Sequence, residues 1–333
     1  MKVSVIIPAY NRGQILMNAL ESLLAQDLPR KEFETIVVDN NSVDDTAGLV
    51  KDFARRNEGH FNLKYVLEKR QGDIYARHSG AALAEGEILA FTDDDATFDT
   101  NWVSEIARMF DAHPEMGALG TNILIVWDRE PQPWVKRFER FLGKIEYDCE
   151  PFVQESGLYI NNGALAVRKD VFYKVGGNNP GQIGPYLVGD AEVGLCRKLH
   201  NLGIPIGFSG RTTMWHHQRE AVNGQLKDIK RRASNNGISK AYTDIFYNGG
   251  GSRFAMIKAI IIKDLLIIKD FLTHNEEKLL NARIGRIEDK FHYIYLRKIK
   301  TDPELVKMQN NRDWYLDDNY VPPPVLLEIK ADL

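Results

Sequence analysis

Four times before Phe110, a short apolar run rich in β-branched residues precedes a segment with helical periodicity. The runs are Val3-Ser4-Val5-Ile6-Ile7, Thr35-Ile36-Val37-Val38, Leu63 to Leu67 and Ile88-Leu89-Ala90-Phe91. The helical segments are Gln14 to Ala25, Asp44 to Arg56 with Ser42 as its cap, Asp73 to Ala84, and Trp102 to Phe110. Strands this continuously apolar are buried on both faces. Strand alternating with helix then predicts a parallel sheet covered by helices, an α/β fold.

In such sheets ligands bind outside the carboxyl ends of the strands. The first run is followed by Pro8-Ala9-Tyr10-Asn11-Arg12, the second by Asp39-Asn40-Asn41-Ser42, and the fourth by Thr92-Asp93-Asp94-Asp95. Polar groups thus collect at one edge of an apolar sheet, which marks a site.

The middle of the chain is less regular. Met116 to Val126 and Tyr159 to Val167 read as strands, Asp128 to Pro133 as a loop, and Gly176 to Gly189 as a long glycine-rich loop. Gly189-Asp190-Ala191-Glu192 opens a helix through His200. Ile204 to Phe208 and Thr212 to Trp215 read as extended, ending at His216-His217. From Glu220 the pattern is helical and basic, with a boundary near Gly249-Gly250-Gly251. The tail from Tyr315, with Pro322-Pro323-Pro324, reads as irregular. We therefore expect a catalytic domain over 1–248, with halves 1–115 and 116–248, and a mainly helical extension over 249–333.

Composition narrows the function classes. With 43 Lys+Arg and 46 Asp+Glu the net charge is −3, so no global field draws nucleic acid. Two cysteines, Cys149 and Cys196, cannot build a disulfide scaffold or a cysteine-rich metal site. Pro8 interrupts the apolar start too early for a secretory leader. Phe254 to Leu272 is the most apolar stretch, yet it holds Lys258, Lys263, Asp264, Lys269 and Asp270, which argues against a spanning helix. The expected location is the cytoplasm, with peripheral contact to a membrane as an option. The charges of that stretch do not fall on one narrow face. It therefore reads as packing within an accessory helical domain; a dimer helix or a membrane-surface helix are the alternatives.

Asp93-Asp94-Asp95 is the sharpest chemical signal. Alternate side chains of an extended segment share a side, so Asp93 and Asp95 can act together. A divalent cation relieves their repulsion, and oxygen ligands suit Mg²⁺ or Mn²⁺. The alternative is a solvated acidic turn. Asp39 can accept a hydrogen bond from a base or ribose, or serve a turn. Arg70-Gln71-Gly72 and Arg77 can follow a diphosphate, or be surface arginines. Asp190 and Glu192, at a helix start, are either a general base or a cap. His216 or His217 can complete an oxygen-rich metal site. Arg219, Arg231 and Arg232 can hold a pyrophosphate or form a solvated face.

Taken in order, these segments resemble a family. Val3 to Arg12 is similar to the opening strand of family 2 glycosyltransferases of the GT-A fold, and Val37 to Thr46 resembles their second motif. Arg70-Gln71-Gly72, Ala76-Arg77 and Ala84-Glu85-Gly86-Glu87-Ile88 continue the series. Phe91-Thr92-Asp93-Asp94-Asp95 resembles the metal-binding Asp-x-Asp. Gly163 to Arg168 with Val175-Gly176-Gly177, Gly189-Asp190-Ala191-Glu192 and Trp215-His216-His217 resemble the acceptor strand and turn, the acidic motif and the returning histidine. The resemblance covers roughly residues 1 to 240.

It implies a Rossmann-like, mostly parallel sheet and inverting transfer from a nucleotide-sugar donor, UDP-linked, to a hydroxyl of a glycan or lipid-linked glycan in cell-surface polysaccharide biosynthesis. Pro8, Ala9, Tyr10, Asn11, Arg12, Asp39 and Asn41 would meet the nucleotide. Arg70, Gly72 and Arg77 would lie along its ribose and diphosphate, and Asp93 and Asp94 near the ribose and metal. Asp93, Asp95 and His217 would hold Mn²⁺ or Mg²⁺, with His216 and Arg219 as diphosphate candidates. Asn162, Gly163 and Asp190 would line the sugar pocket. Asp190 would be the base, with Glu192 as its competitor. The chain departs from the family at Gly189, where glutamate is common, and at His78, where asparagine is usual. It lacks the Gln-x-x-Arg-Trp processive signature, which argues for single-residue transfer. The rival readings are a nucleotide-sugar-binding module without turnover and a nucleotidyltransferase on a similar sheet.

Overall fold

The structure is a computed structural model that describes residues 1–183, 186–187, 189–250 and 252–303. The expected irregular tail from Tyr315, and Gly251, lie outside the described residues. In chain order the elements begin β1 (Val3–Ala9), α1 (Gly13–Leu24), β2 (Phe33–Asp39), α2 (Thr46–Arg56), β3 (Leu63–Leu67) and α3 (Asp73–Leu83). They continue β4 (Ile88–Phe91), β5 (Ala96–Phe98), α4 (Trp102–Ala112), β6 (Ala118–Trp127), α5 (Pro133–Lys136) and β7 (Phe152–Gln154). Then come β8 (Leu165–Arg168), α6 (Lys169–Lys174), β9 (Gln182–Ile183), β10 (Tyr186–Leu187), α7 (Ala191–Asn201) and β11 (Ile206–Gln218). The last are α8 (Glu220–Asn223), α9 (Leu226–Tyr247), α10 (Arg253–Leu272) and α11 (Glu276–Thr301).

The chain forms two compact units. The first comprises Met1–Asp128, Leu142–Asn179 and Ala191–Gln218; the second comprises Arg129–Phe141, Pro180–Asp190 and Arg219–Leu333.

The first unit is built on a nine-stranded sheet of order β3-β2-β1-β4-β8-β6-β11-β5, with β7 also paired to β11. β3, β2, β1 and β4 are mutually parallel. β8 is antiparallel to both β4 and β6, so β6 runs with β4, and β11 is parallel to β6. Six strands therefore share a direction, and their carboxyl ends lie along one edge. β1 shows why the apolar runs are continuous. Val3, Val5 and Ile7 join one core with Leu16, Leu20 and Leu23 of α1, while Ile6 joins a second core with Ile36, Val38, Ala76 and Ala81. Side chains alternate between faces, and both faces are covered. Gly80 lets α3 approach: a Cβ there would meet Ile6 Cγ2 at 2.4 Å.

One polar cluster is sealed inside. Glu34 of β2 is fully buried; it accepts from Ser4 Oγ at 2.6 Å and the Glu85 amide at 2.7 Å, and pairs with Lys64 at 2.7 Å. Burial pushes its carboxyl up, but these partners outweigh that and hold it below the usual glutamate range.

Several local expectations are corrected. Helix α2 begins at Thr46, not Asp44, and Ser42 does not cap it. Ser42 Oγ instead accepts from the Asn11 amide, and Asp44 takes the Thr46 amide. The stretch read as a strand over Tyr159 to Val167 is split. Asn162–Ala164 is a 3₁₀ turn, capped when the Asn161 side chain accepts from the Gly163 amide, and only Leu165–Arg168 is strand. The two extended segments before His216 form one strand, with a register shift between Ser209 and Thr213. The loop read over Asp128 to Pro133 ends where α5 begins at Pro133.

In the second unit, α9 packs on α11 and α11 on α10. Phe138, Ile229, Ala233 and Ile284 form its apolar core. At Gly237 a Cβ would meet the Glu288 carbonyl oxygen at 2.3 Å, so glycine sets the close approach of α9 to α11. The expected packing of α10 holds for one of its faces. Among the described residues no helix is long and apolar enough to cross a membrane.

Candidate active site

The loops at the carboxyl edge of the first unit are tied to one another before any ligand is considered. After β1, Asn11 adopts a positive φ of 52°, donates its amide to Ser42 Oγ at 3.0 Å, and accepts from the Val43 amide at 2.7 Å through Oδ1. This turn carries the chain from Pro8 and Ala9 of β1 to Arg12 and leaves Tyr10 47% exposed at the rim. Asp39 ends β2 and is buried. It accepts from the Ser42 amide and from Tyr65 Oη, each at 2.8 Å. Burial, then Asp39, pushes the Tyr65 hydroxyl up to about 12, so it donates to Asp39 throughout the physiological range. Asn41 beside it also has a positive φ, 65°.

Asn40 is the brace that sequence reasoning passed over. Its side chain donates to the Arg70 carbonyl at 2.6 Å and accepts from the Gly72 amide at 2.7 Å. It fixes the Arg70-Gln71-Gly72 turn ahead of α3, where Gly72 holds φ 149°. Arg70 lies over the Tyr75 ring at 4.8 Å and donates to both oxygens of Glu68, at 3.0 and 2.7 Å. Burial raises the Glu68 carboxyl, but Arg70 and Ser79 outweigh it and bring it down to about 2.

The aspartate triplet is clamped from both ends. The Thr92 amide donates to Ile6 O at 3.1 Å, and the His217 amide donates to Asp95 O at 2.8 Å. Next, β5 pairs with β11, setting Ala96 opposite His216. Buried Arg77 donates to Asp93 Oδ1 at 2.6 Å and to the Thr92 carbonyl at 3.2 Å. Arg12 donates through one nitrogen to Asp94 at 3.0 Å and to Asp95 at 2.8 Å. Burial pushes the Asp94 carboxyl up to about 7 against the pull of Arg12. Asp95 goes the other way: His216 and Arg12 overcome burial and hold it below its ordinary value.

Adjacent residues of a strand face opposite ways, so only one of the two histidines can meet the triplet. It is His216, whose Nε2 lies 3.0 Å from Asp95 Oδ1. His217, expected as the metal ligand, instead places Nε2 2.8 Å from Thr97 Oγ1. The His216 Nδ1–H faces the Leu142 carbonyl at 2.9 Å, which leaves Nε2 as the lone-pair donor when the ring is neutral. One atom each of Asp93, Asp95 and His216 lies within 4.8 Å of the others. Two carboxylates and an imidazole fit Mn²⁺ or Mg²⁺ with positions left for substrate oxygens. Gly163 closes this corner: a Cβ would meet Asp93 Oδ2 at 2.9 Å.

Asn162 joins the cluster to α7. Its side chain donates to Glu192 Oε2 at 3.1 Å, and its carbonyl faces Arg77 at 3.4 Å. Burial pushes the Glu192 carboxyl up to about 7; Arg77 opposes this and Asp73 adds to it. His78, the departure noted above, packs on Phe172 with ring centroids 5.3 Å apart, and burial lowers it to about 4.

Asp190 and Arg219 belong to the second unit. Asp190 is buried there and accepts from Thr243 Oγ1 at 2.8 Å. Arg219 is exposed at the start of α8, its amide donating to the Asn223 side chain. Thus Arg12, Arg77, the three aspartates, His216, Asn162, Gly163 and Glu192 form one connected network. Asp39, Asn41, Arg70 and Gly72 form a second, braced by Asn40.

A family model described as Glycosyl transferase family 2 matches residues 4–176. Over 278 residues the chain is 27% identical to a glucosyl-dolichyl phosphate glucuronosyltransferase of Haloferax volcanii, covering 80% of this chain and 84% of that protein. Over 113 residues it is 34% identical to the poly(ribitol-phosphate) β-N-acetylglucosaminyltransferase TarS of Staphylococcus aureus, covering 34% of this chain and 19% of TarS. Among solved structures it aligns with the mannosyltransferase PcManGT of Pyrobaculum calidifontis, in complex with GDP-Man and Mn²⁺. The TM-score is 0.53 at 18% identity, covering 99% of this chain and 79% of that one. GalNAc-T7 with UDP, GalNAc and Mn²⁺ gives 0.53 at 16% identity, over 94% and 58% of the two chains. At these identities the likeness establishes the fold.

Proposed function

The chain belongs to glycosyl transferase family 2, with the GT-A fold, and from that premise we propose a metal-dependent, inverting transfer of a sugar from a nucleotide-sugar donor. The donor is UDP-linked, and the acceptor is a hydroxyl of a glycan or lipid-linked glycan in cell-surface polysaccharide biosynthesis. One observation carries this reading: Asp93, Asp95 and His216 converge at the strand edge, with Arg12 and Arg77 beside them. That pairing of ligand carboxylates with guanidinium groups suits a diphosphate. The named lipid substrate of the Haloferax relative supports a lipid-linked acceptor.

Asp93, Asp95 and His216 would hold Mn²⁺ or Mg²⁺. When bound, the ion supplies positive charge to the departing nucleoside diphosphate. Tyr10 and Asp39 would bind the base, and Asn40 holds the Arg70–Gly72 turn against the ribose. Arg12 and Arg77 would orient the diphosphate. Asp190 accepts the proton of the acceptor hydroxyl as its oxygen bonds to the anomeric carbon and the carbon–phosphate-oxygen bond breaks. Glu192, its carboxyl raised to about 7 by burial, is partly protonated near neutrality and accepts from the Asn162 side chain.

Calorimetric titration with UDP, GDP and TDP, with and without Mn²⁺, tests the donor half. UDP binding should require Mn²⁺ and weaken ~100-fold in Asp95→Ala; metal-independent binding, or none, overturns it. For the base, Asp190→Asn should lower transfer ~10²–10⁴-fold with UDP affinity intact, whereas Glu192→Gln, which mimics the protonated acid, should lose far less. Equal losses would overturn the assignment of Asp190.

A further inference from the structure

Helix α10 is apolar on more than the face it packs: Met256 is buried, yet a further row of large apolar side chains lies exposed. Three of its charged groups lie toward α11. Asp264 pairs with Arg286, Lys263 lies across Gly285, and Asp270 is 6% exposed. Its large apolar side chains turn away: Phe254, Ile257, Ile261, Leu265, Ile268 and Leu272 are all exposed, from 42% to 80%. They recur every three or four residues and so form one stripe along the helix. Ile262 and Phe271 widen it. A contiguous exposed stripe of this size marks an interaction surface.

The charges left on the exposed side say what it meets. Among the described side chains they are Lys258 and Lys269, both cationic and eleven residues, close to three turns, apart on one flank of the stripe. Of its two acidic residues, Asp270 is buried and Asp264 is paired with Arg286. A second copy fits poorly, because antiparallel pairing centred on the stripe would set Lys258 of one copy beside Lys269 of the other. An anionic interface satisfies both lysines, whose stems can lie along the apolar surface with the ammonium groups at the head groups. The helix also carries too much charge to span.

We propose that α10 is a membrane-docking surface that lies in the plane of an anionic lipid bilayer, its stripe sunk among the acyl chains and Lys258 and Lys269 at the head groups. The geometry of α10 carries this without reference to the transfer reaction, so the two readings stand or fall separately.

The test is flotation of the full-length protein with vesicles of phosphatidylglycerol and phosphatidylcholine, and with phosphatidylcholine alone. Binding should be strong on the anionic vesicles and weaken with salt. Lys258→Gln with Lys269→Gln should reduce it on anionic vesicles only. Ile261→Ser with Leu265→Ser should reduce it roughly tenfold or more per side chain, with an unchanged circular-dichroism spectrum and melting temperature. Three results would overturn the proposal. The first is no vesicle binding by the folded protein. The second is a stable dimer in sedimentation equilibrium that Leu265→Asp dissociates, which gives the stripe to a second copy. The third is binding that emerges only after truncation beyond Asp302, which gives it to the chain's own last residues.

Discussion

The strand edge of the first unit and helix α10 of the second break the usual partition in opposite senses. At the edge, Asp94, Asp95, Arg77 and His216 are withdrawn from water, though burying a charge is costly unless it is paired. In α10, large apolar side chains are left in water while an aspartate is buried. The edge balances its carboxylates with its own guanidinium and imidazole groups, which are the groups a cation and a diphosphate would rearrange. Among the described residues nothing covers the apolar stripe of the helix, and the bilayer proposed above would complete it.

The largest effect that would break this comparison is at Asp95. Asp95→Ala should weaken Mn²⁺-dependent UDP binding ~100-fold, since loss of even an outer partner of a metal costs ~10–100-fold. Calorimetry reads it, and an unchanged affinity would mean that the buried carboxylates are structural only.

The next concerns Glu68, which Arg70 and Ser79 hold at about 2. A depressed folded-state value contributes stability above the unfolded value, lost as pH falls. The wild type should therefore lose up to ~3 kcal/mol between about pH 5 and pH 2 that Glu68→Gln does not. Denaturant melts across that range check it; parallel curves for the two proteins would remove the argument.

A smaller effect sharpens the role of Arg12. Its guanidinium pairs with Asp95, one of the three candidate ligands, and with Asp94, so the proposed Mn²⁺ would compete with it for Asp95. Arg12→Gln should tighten nucleotide-free Mn²⁺ binding roughly tenfold, as loss of a charge-assisted hydrogen bond worth ~1.5–3 kcal/mol allows. It should weaken UDP binding at the same time. Electron paramagnetic resonance of free Mn²⁺ measures the first, and a weaker Mn²⁺ affinity would show that Arg12 organises the cluster instead.

The smallest is at Leu265. It is 61% exposed, so Leu265→Gln should change folding stability by no more than ~0.5 kcal/mol. A loss of ~2 kcal/mol or more in thermal melts would mean that the face is covered within the folded chain.

The strands and the aspartate triplet were legible because their signals are local. Val3 to Ile7 is apolar at nearly every position, short, β-branched and bounded by Pro8, which fits a strand buried on both faces. The triplet stood out because it follows such a strand. The supports were not legible. Asn40 reaches Arg70 and Gly72, Tyr65 reaches Asp39, and Arg12 reaches Asp95, across separations of 26 to 83 residues. Ser42 misled as a helix cap because its hydroxyl has a competing partner in the Asn11 amide.

By itself, then, the sequence determined the α/β alternation, the edge where polar residues gather and the family. These follow from periodicity and from motifs, which are properties of neighbouring residues. Tertiary structure alone decided that His216 rather than His217 meets Asp95, because the pairing of β5 with β11 chooses the face. It alone decided that α10 turns its lysine- and leucine-bearing side outward, because only the packing of α10 against α11 says which half of a helix is inside. Register and packing are relations between distant segments, and no local pattern of charge or hydrophobicity encodes them.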